Sequence, residues 1–240
     1  MIVVSALTYA LGKQLGIELA AKELARQLAE PPDPADWDLP VVRTIRGLQS
    51  LDDLMLYHGA STTLPKARSR AAHAALESTA DLWAMCDDDV EADVETLRRM
   101  VAIARSGRVA VLPCAVRTVR GDHRVNVQWH GPLVEVHAGV STRAVRRGGC
   151  GLMIVPRVAL EAVRDVFAET MSYVDDDGVR RVALFQMMLF GGSPNQLWLG
   201  EDYSFCERLR AAGVEIAAPI EGQSIHDGAV LDLSEAAALP

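Results

Sequence analysis

The sequence predicts a single mixed α/β domain whose N-terminal half is a parallel sheet covered by helices. Three observations carry that expectation. Short apolar, β-branched runs recur through the first 120 residues; segments of helical period separate them; and beyond residue 120 the pattern shifts toward two-residue alternation and hairpin signals. Half of the 240 residues are hydrophobic and 23% are charged, the balance of a globular chain long enough for a large core. No internal repeat, low-complexity tract or linker divides it, so 1–240 is read as one domain with halves 1–120 and 121–240.

Taken in order, Ile2 to Ala6 reads as a central strand running into Leu7-Thr8-Tyr9. Leu15, Leu19, Ala20 and Leu24 mark one face of a helix that "PPDP" stops. "LPVVRTIRG" reads as a second strand, and "TTLPKARSRAAHAALEST" as a helix starting near Pro65, a favoured first-turn proline. "DLWAMC" is a third strand; Val94, Leu97, Val101 and Ala104 give the next helix its apolar face; "RVAVLPCAV" is a fourth strand. "HRVNVQWHGPLVEVH" is expected to be a hairpin turning at His130-Gly131-Pro132. "GGCGLMIVPRVALEAV" gives a glycine-rich approach, a strand, and a helix from about Pro156. "YVDDDGVRRVALF" is a second hairpin, with Asp175 to Asp177 at a solvated tip. "GEDYSFCERLRAAG" is a helix closed by Gly213, and "VEIAAPI" a last strand.

A net charge of −8 and a pI near 5.3 exclude a general basic field that would attract nucleic acid. Arg117, Arg120 and Arg124, with Arg143, Arg146 and Arg147, are read as a solvated face. Four widely spaced cysteines with no C-x-x-C pair are expected to be buried free thiols in a reducing compartment. The apolar start lacks a basic leader and is too short to span a bilayer, which gives a cytoplasmic protein with no transmembrane segment as the expectation.

Chemistry concentrates at four places. Asp87, Asp88 and Asp89 directly follow the third strand, at the carboxyl end where open α/β sheets bind ligands. Asp87 and Asp89, two apart, would share one face of an extended segment and a hard divalent cation; a helix cap by Asp89 or Asp93 is the alternative. Asp202, beside Glu201, opens a helix whose inner face carries Phe205, Cys206 and Leu209, whereas Glu207, Arg208 and Arg210 are expected to face water. There too a cap is the alternative, but Gly200 permits close approach, and Trp198 is a loop aromatic suited to stacking on a sugar ring. Arg68 and Arg70 stand in the first turns of a helix, where an anion would account for them. His226 lies in a late loop, as a structural residue or a ligand.

The order of these features resembles the glycosyltransferases of the GT-A fold, in particular the large family-2-like group with compact bacterial and phage members. The likeness spans nearly the whole chain and is most specific over 63–107 and 148–228. It implies a Rossmann-like, nucleotide-diphospho-sugar transferase domain with a parallel N-terminal half that binds nucleotide and a C-terminal half that binds acceptor. Asp87-Asp88-Asp89 resembles the family's Asp-x-Asp motif. The resemblance assigns Asp89 and His226 to an Mn²⁺ or Mg²⁺ ion, and Asp87, Asp88 and Arg68 to the donor. It sets Thr8 and Tyr9 at the nucleobase and Gly149 and Gly151 at the sugar and acceptor. Asp202, with Glu201 beside it, is the base. Ser69 stands where the family usually has asparagine. The implied partners are a nucleotide-sugar donor, UDP being the commonest, and an acceptor that is a glycan, lipid, protein or modified DNA base. Three rivals stand beside it: a haloacid-dehalogenase-like phosphatase, whose motif would need Thr or Val where Glu91 stands; a nucleotidyltransferase of related fold, whose glycine-rich, lysine-bearing first loop does not follow "VVSALTY"; and a non-catalytic sugar-nucleotide-binding relative.

Overall fold

The computed structural model describes residues 1–7, 40–57, 63–117 and 123–239. Thr8, Tyr9 and the helix expected from Leu15 to Leu28 lie outside the described residues. In chain order the N-terminal half comprises β1 (Ile2–Leu7), α1 (Pro40–Gln49), β2 (Leu54–Tyr57), α2 (Leu64–Glu77), β3 (Leu82–Asp87), β4 (Val90–Ala92), α3 (Val94–Arg105), β5 (Val109–Val111) and β6 (Ala115–Arg117). There follow β7 (His123–Val125), β8 (Val127–His137), β9 (Val140–Gly148), β10 (Leu152–Pro156), α4 (Arg157–Phe167), β11 (Ser172–Val174) and β12 (Arg180–Val182). The chain ends with β13 (Met188–Phe190), β14 (Leu197–Leu199), α5 (Glu201–Ala211), β15 (Ile216–Pro219), β16 (Gln223–His226), β17 (Ala229–Asp232) and α6 (Leu233–Ala238).

Eight strands form a mixed sheet in the order β2-β1-β3-β10-β5-β15-β9-β8. The first three are parallel, as expected. The fourth strand of the half, β5, points the same way but is separated from β3 by β10, which runs antiparallel to both. Along β3 the side chains alternate between two cores. Leu82, Ala84 and Cys86 pack with α1 and α3 on one face, whereas Trp83 and Met85 pack with α2, α4 and α5 on the other. The result is a helix–sheet–helix sandwich in which both faces are dry, which explains why the central strands read as unbroken apolar runs. On the second face Phe185 stacks on Phe205 at 4.2 Å and meets Trp83 edge-on at 6.0 Å. Burial of each such ring contributes about 1.5–3 kcal/mol.

Four expectations need correction. "LPVVRTIRG" is helix α1, not a strand: Val41, Val42, Ile45 and Leu48 form one buried stripe, and Pro40 occupies the first helical position. Its Thr44 hydroxyl donates to Val90 O at 3.2 Å, tying the helix to β4. The strand that belongs there is β2. "RVAVLPCAV" splits into β5 and β6, with Pro113 between them. His130-Gly131-Pro132 makes no hairpin; Gly131 (φ +85°) sits within β8, where the pairing with β9 shifts register, and the reversal comes at Ala138-Gly139. Finally, β15 is not the last strand, since β16 and β17 follow it. No described helix is long and apolar enough to cross a membrane.

Candidate functional site

The ladder between β1 and β3 sets Leu7 opposite Asp87, so the acidic run begins where the parallel strands end. Because β10 runs antiparallel with Leu152 opposite Cys86, the glycine turn before it arrives at that same end. Asp87 N donates to Gly151 O at 2.8 Å. A side chain on either glycine there would displace a neighbour: a Cβ on Gly149 would lie 2.7 Å from Asn126 Nδ2, and one on Gly151 would lie 2.9 Å from Val90 Cγ2. Strand β16 pairs antiparallel with β4, placing His226 opposite Val90 and hence beside Asp89.

These elements enclose a cavity of about 680 Å³, a size suited to a small-molecule ligand. Arg68, Asp87, Gly149 and Gly151 line it. Trp198, Glu201, Asp202 and His226 complete the set of expected residues found on its wall. Trp198 is 71% exposed at the rim. Asp88 and Asp89 are the exceptions: neither is on the wall, and Asp88 is only 7% exposed. The chain turns at Asp88 and Asp89, so the extended geometry that would have aligned Asp87 with Asp89 stops at Asp87. The helix cap is Asp93, which accepts from Thr96 N at 2.9 Å, so capping does not account for the three aspartates.

The anions expected at Arg68 and Arg70 are the protein's own carboxylates. Arg68, 3% exposed, donates from Nη2 to Asp87 at 3.0 Å and from Nη1 to Glu201 at 2.8 Å. Asp87 lies deep in the molecule yet keeps 31% of its side chain open to the cavity. Burial pushes its pKa up to about 6, reinforced by Asp88 and Asp89 and opposed by Arg68. Arg70 and Lys66, with Arg181 from β12, clasp Asp175. The tip residue expected in solvent is therefore covered, although by its own partners at the surface rather than by the core. The Arg70 hydrogen bonds hold its pKa well below the usual carboxylate range. Ser69 bonds locally, donating to Pro65 O at 2.8 Å and accepting from Phe185 N at 3.2 Å.

On α5 the N-cap position is Gly200, which has no side chain to cap with. Asp202 Oδ1 accepts from Tyr203 N at 2.7 Å, and the carboxylate makes no ion pair among the described residues. Burial raises its pKa, with Glu201 adding to the shift and Arg68 opposing it. Glu207 and Arg208 do not face water. Glu207 is ion-paired with Arg147 at 2.6 Å, and Arg208 donates to the Leu184 and Gln186 carbonyls at 3.1 and 2.5 Å. Arg143 likewise leaves the expected solvated face, donating to the Gly131, Ala237 and Leu239 carbonyls, so Arg143 and Arg147 are both buried. All four cysteines are buried free thiols. Cys150 lines the cavity, but burial keeps it protonated and unreactive.

Asp89 and His226 meet with Oδ2 and Nε2 3.5 Å apart. His226 Nδ1 lies 2.9 Å from Ala115 O, an acceptor, so that nitrogen carries a proton and Nε2 is the one aimed at the carboxylate. Two acceptors so placed call for a proton or a cation between them, and a histidine anchored to a carbonyl through its other nitrogen is how metal-ligating imidazoles are oriented. The donor set fits a hard divalent ion that keeps further positions for oxygen ligands. Among the described residues no group of three or more His, Cys, Asp or Glu side chains gathers to hold a metal by itself.

No family model matches the chain. No curated protein matches it either. Among solved structures it is similar to A197 from STIV, with 12% identity over 96% of this chain and 92% of that one, at a TM-score of 0.48. It is similar to GalNAc-T7 with UDP, GalNAc and Mn²⁺, with 11% identity, 91% of this chain, 41% of that chain and a TM-score of 0.44. It is also similar to the UTP-bound UGPase from Acinetobacter baumannii, with 11% identity, 98% and 91% coverage and a TM-score of 0.43. Likenesses this distant carry no functional weight, which falls instead on the site's own chemistry.

Sequence reasoning missed Arg124, Asn126 and Tyr203 on the cavity wall. Asn126 holds Cys114 N through its Oδ1 at 2.8 Å, a contact that no local pattern announces.

Proposed function

We propose that this chain is a metal-dependent glycosyltransferase. It moves a sugar from a nucleoside-diphosphate donor, a UDP-sugar in the simplest case, to an acceptor hydroxyl with inversion. The observation that carries this reading is the division of labour among the carboxylates of one cavity. Glu201 and Asp87 are committed to Arg68, whereas Asp202 is part-buried, free of any ion pair among the described residues, and raised in pKa. A base for a hydroxyl needs to be within reach, unpaired and of raised proton affinity, and Asp202 meets those conditions.

Asp202 takes the acceptor proton as the hydroxyl attacks the anomeric carbon from the face opposite the leaving diphosphate. Arg68 engages Glu201 and Asp87 as hydrogen-bond acceptors, which leaves Asp202 as the carboxylate of the three without an ion pair among the described residues. Trp198, exposed at the rim, offers an apolar face to a sugar ring, and Gly149 and Gly151 line the wall where the sugar and acceptor would sit. Asp89 and His226 would hold Mn²⁺ or Mg²⁺, which when bound supplies Lewis-acid stabilisation of the diphosphate charge. Thr8 and Tyr9 are proposed to border the nucleobase.

Release of nucleoside diphosphate from a panel of nucleotide sugars, with Mn²⁺ present, tests the proposal. Wild-type protein is expected to turn over at least one donor, and Asp202→Asn to lose about 100-fold or more in kcat while binding that donor equally well. Undiminished turnover in Asp202→Asn removes the base, and no turnover of any donor removes the transferase.

A further inference from the structure

We infer that Arg124 is the cavity's anion-binding residue, receiving a phosphate oxygen of the ligand on the His226 side. This deepens the transferase proposal and rests on it. The acids Asp87, Glu201 and Asp202 line the cavity with Asp89 at its edge, so a diphosphate entering alone meets a repulsive field. Arg68 offsets only part of it, because its terminal nitrogens are already turned onto Asp87 and Glu201. Arg124 is the other arginine on the wall, exposed, and its guanidinium makes no hydrogen bond or ion pair with any described residue.

Its position is fixed by the same ribbon that orients the histidine. Strands β6 and β7 pair with Val116 opposite Arg124 and Ala115 opposite Val125, and Ala115 O is the acceptor that holds His226 Nδ1. Arg124 therefore reaches the cavity wall from the ribbon that holds His226. Two residues on, Asn126 has its Oδ1 occupied by Cys114 N, which leaves its Nδ2 as a second donor at the same wall. A planar, permanently charged fork beside a divalent ion is the arrangement that grips a phosphate bidentately.

Calorimetric titration of the full chain with inorganic pyrophosphate in Mn²⁺ tests the assignment. Wild-type protein is expected to bind. Arg124→Gln should weaken binding about 10-fold or more, the usual worth of a charge-assisted hydrogen bond, and should flatten its dependence on ionic strength. Arg124→Lys, which keeps the charge but loses the fork, should fall between wild type and Arg124→Gln, with unchanged melting temperatures showing that both variants fold. Wild-type affinity in Arg124→Gln overturns the role of Arg124 and leaves the transferase proposal standing. Failure of the wild-type protein to bind either Mn²⁺–pyrophosphate or any nucleoside diphosphate overturns both.

Discussion

Asp202 and Glu201 are adjacent carboxylates at one helix start, yet of the two only Glu201 is ion-paired among the described residues, 2.8 Å from Arg68. Burial raises the pKa of Asp202. The consequence is a pH profile. A base works only when deprotonated, so kcat should climb as pH rises through the Asp202 pKa, with the acid limb displaced above the ordinary aspartate range near 3.9. Asp202→Asn should remove that limb, and an identical limb in the variant would assign it to another group. At the glycine turn, Gly149→Ala should push the Asn126 amide off Cys114 N. Overpacking of that kind costs about 1–3 kcal/mol and would be read as a lower denaturant midpoint. An unchanged midpoint would show that the contact relaxes freely.

Elements rather than residues place these groups. Helix α2 carries Arg68, and the β11–β12 hairpin holds that helix through Asp175 and through Val182 N, which donates to His73 Nε2 at 2.9 Å. The depressed pKa of Asp175 contributes stability that is present above the unfolded aspartate value and lost as pH falls through the lower folded one. Asp175→Asn should therefore be less stable than wild type at neutral pH, and the two unfolding curves should converge below about pH 4. Curves that stay parallel into acid would show that Asp175 does not bind its proton differently on folding. Hairpin, helix and the end of β3 were legible in the sequence because each has local chemistry: Asp177-Gly178 at a turn, Pro65 at a helix start, an apolar run ending in aspartates. The segment from Pro40 was misread because β-branched residues at helical spacing also suit a strand, and only its packing on β4 decides. The pairing of β16 with β4 has no local signature at all, so His226 could be suspected from sequence but not placed beside Asp89.

Across the whole molecule, the acidic net charge and the scarcity of lysine conceal how the arginines are used. Arg143, Arg147 and Arg208 are buried on carbonyls and Glu207, and a composition count cannot separate such residues from solvated ones. The four thiols belong to this scale too, since burial raises each pKa, Cys114 and Cys206 to about 12. A thiol reagent at neutral pH should leave the native protein unmodified and react with all four cysteines in denaturant; rapid native labelling would mean that the core opens locally. The most direct test of the central claim is the melting temperature of the full chain against a panel of nucleotide sugars, with and without Mn²⁺. A donor at about 100 times its Kd adds about 2.7 kcal/mol, which for a chain of this length is a rise of about 5–10 °C. The account predicts such a rise for at least one donor, present with Mn²⁺ and lost in Asp89→Ala. A flat response to every donor, or an equal response without the metal, would contradict it.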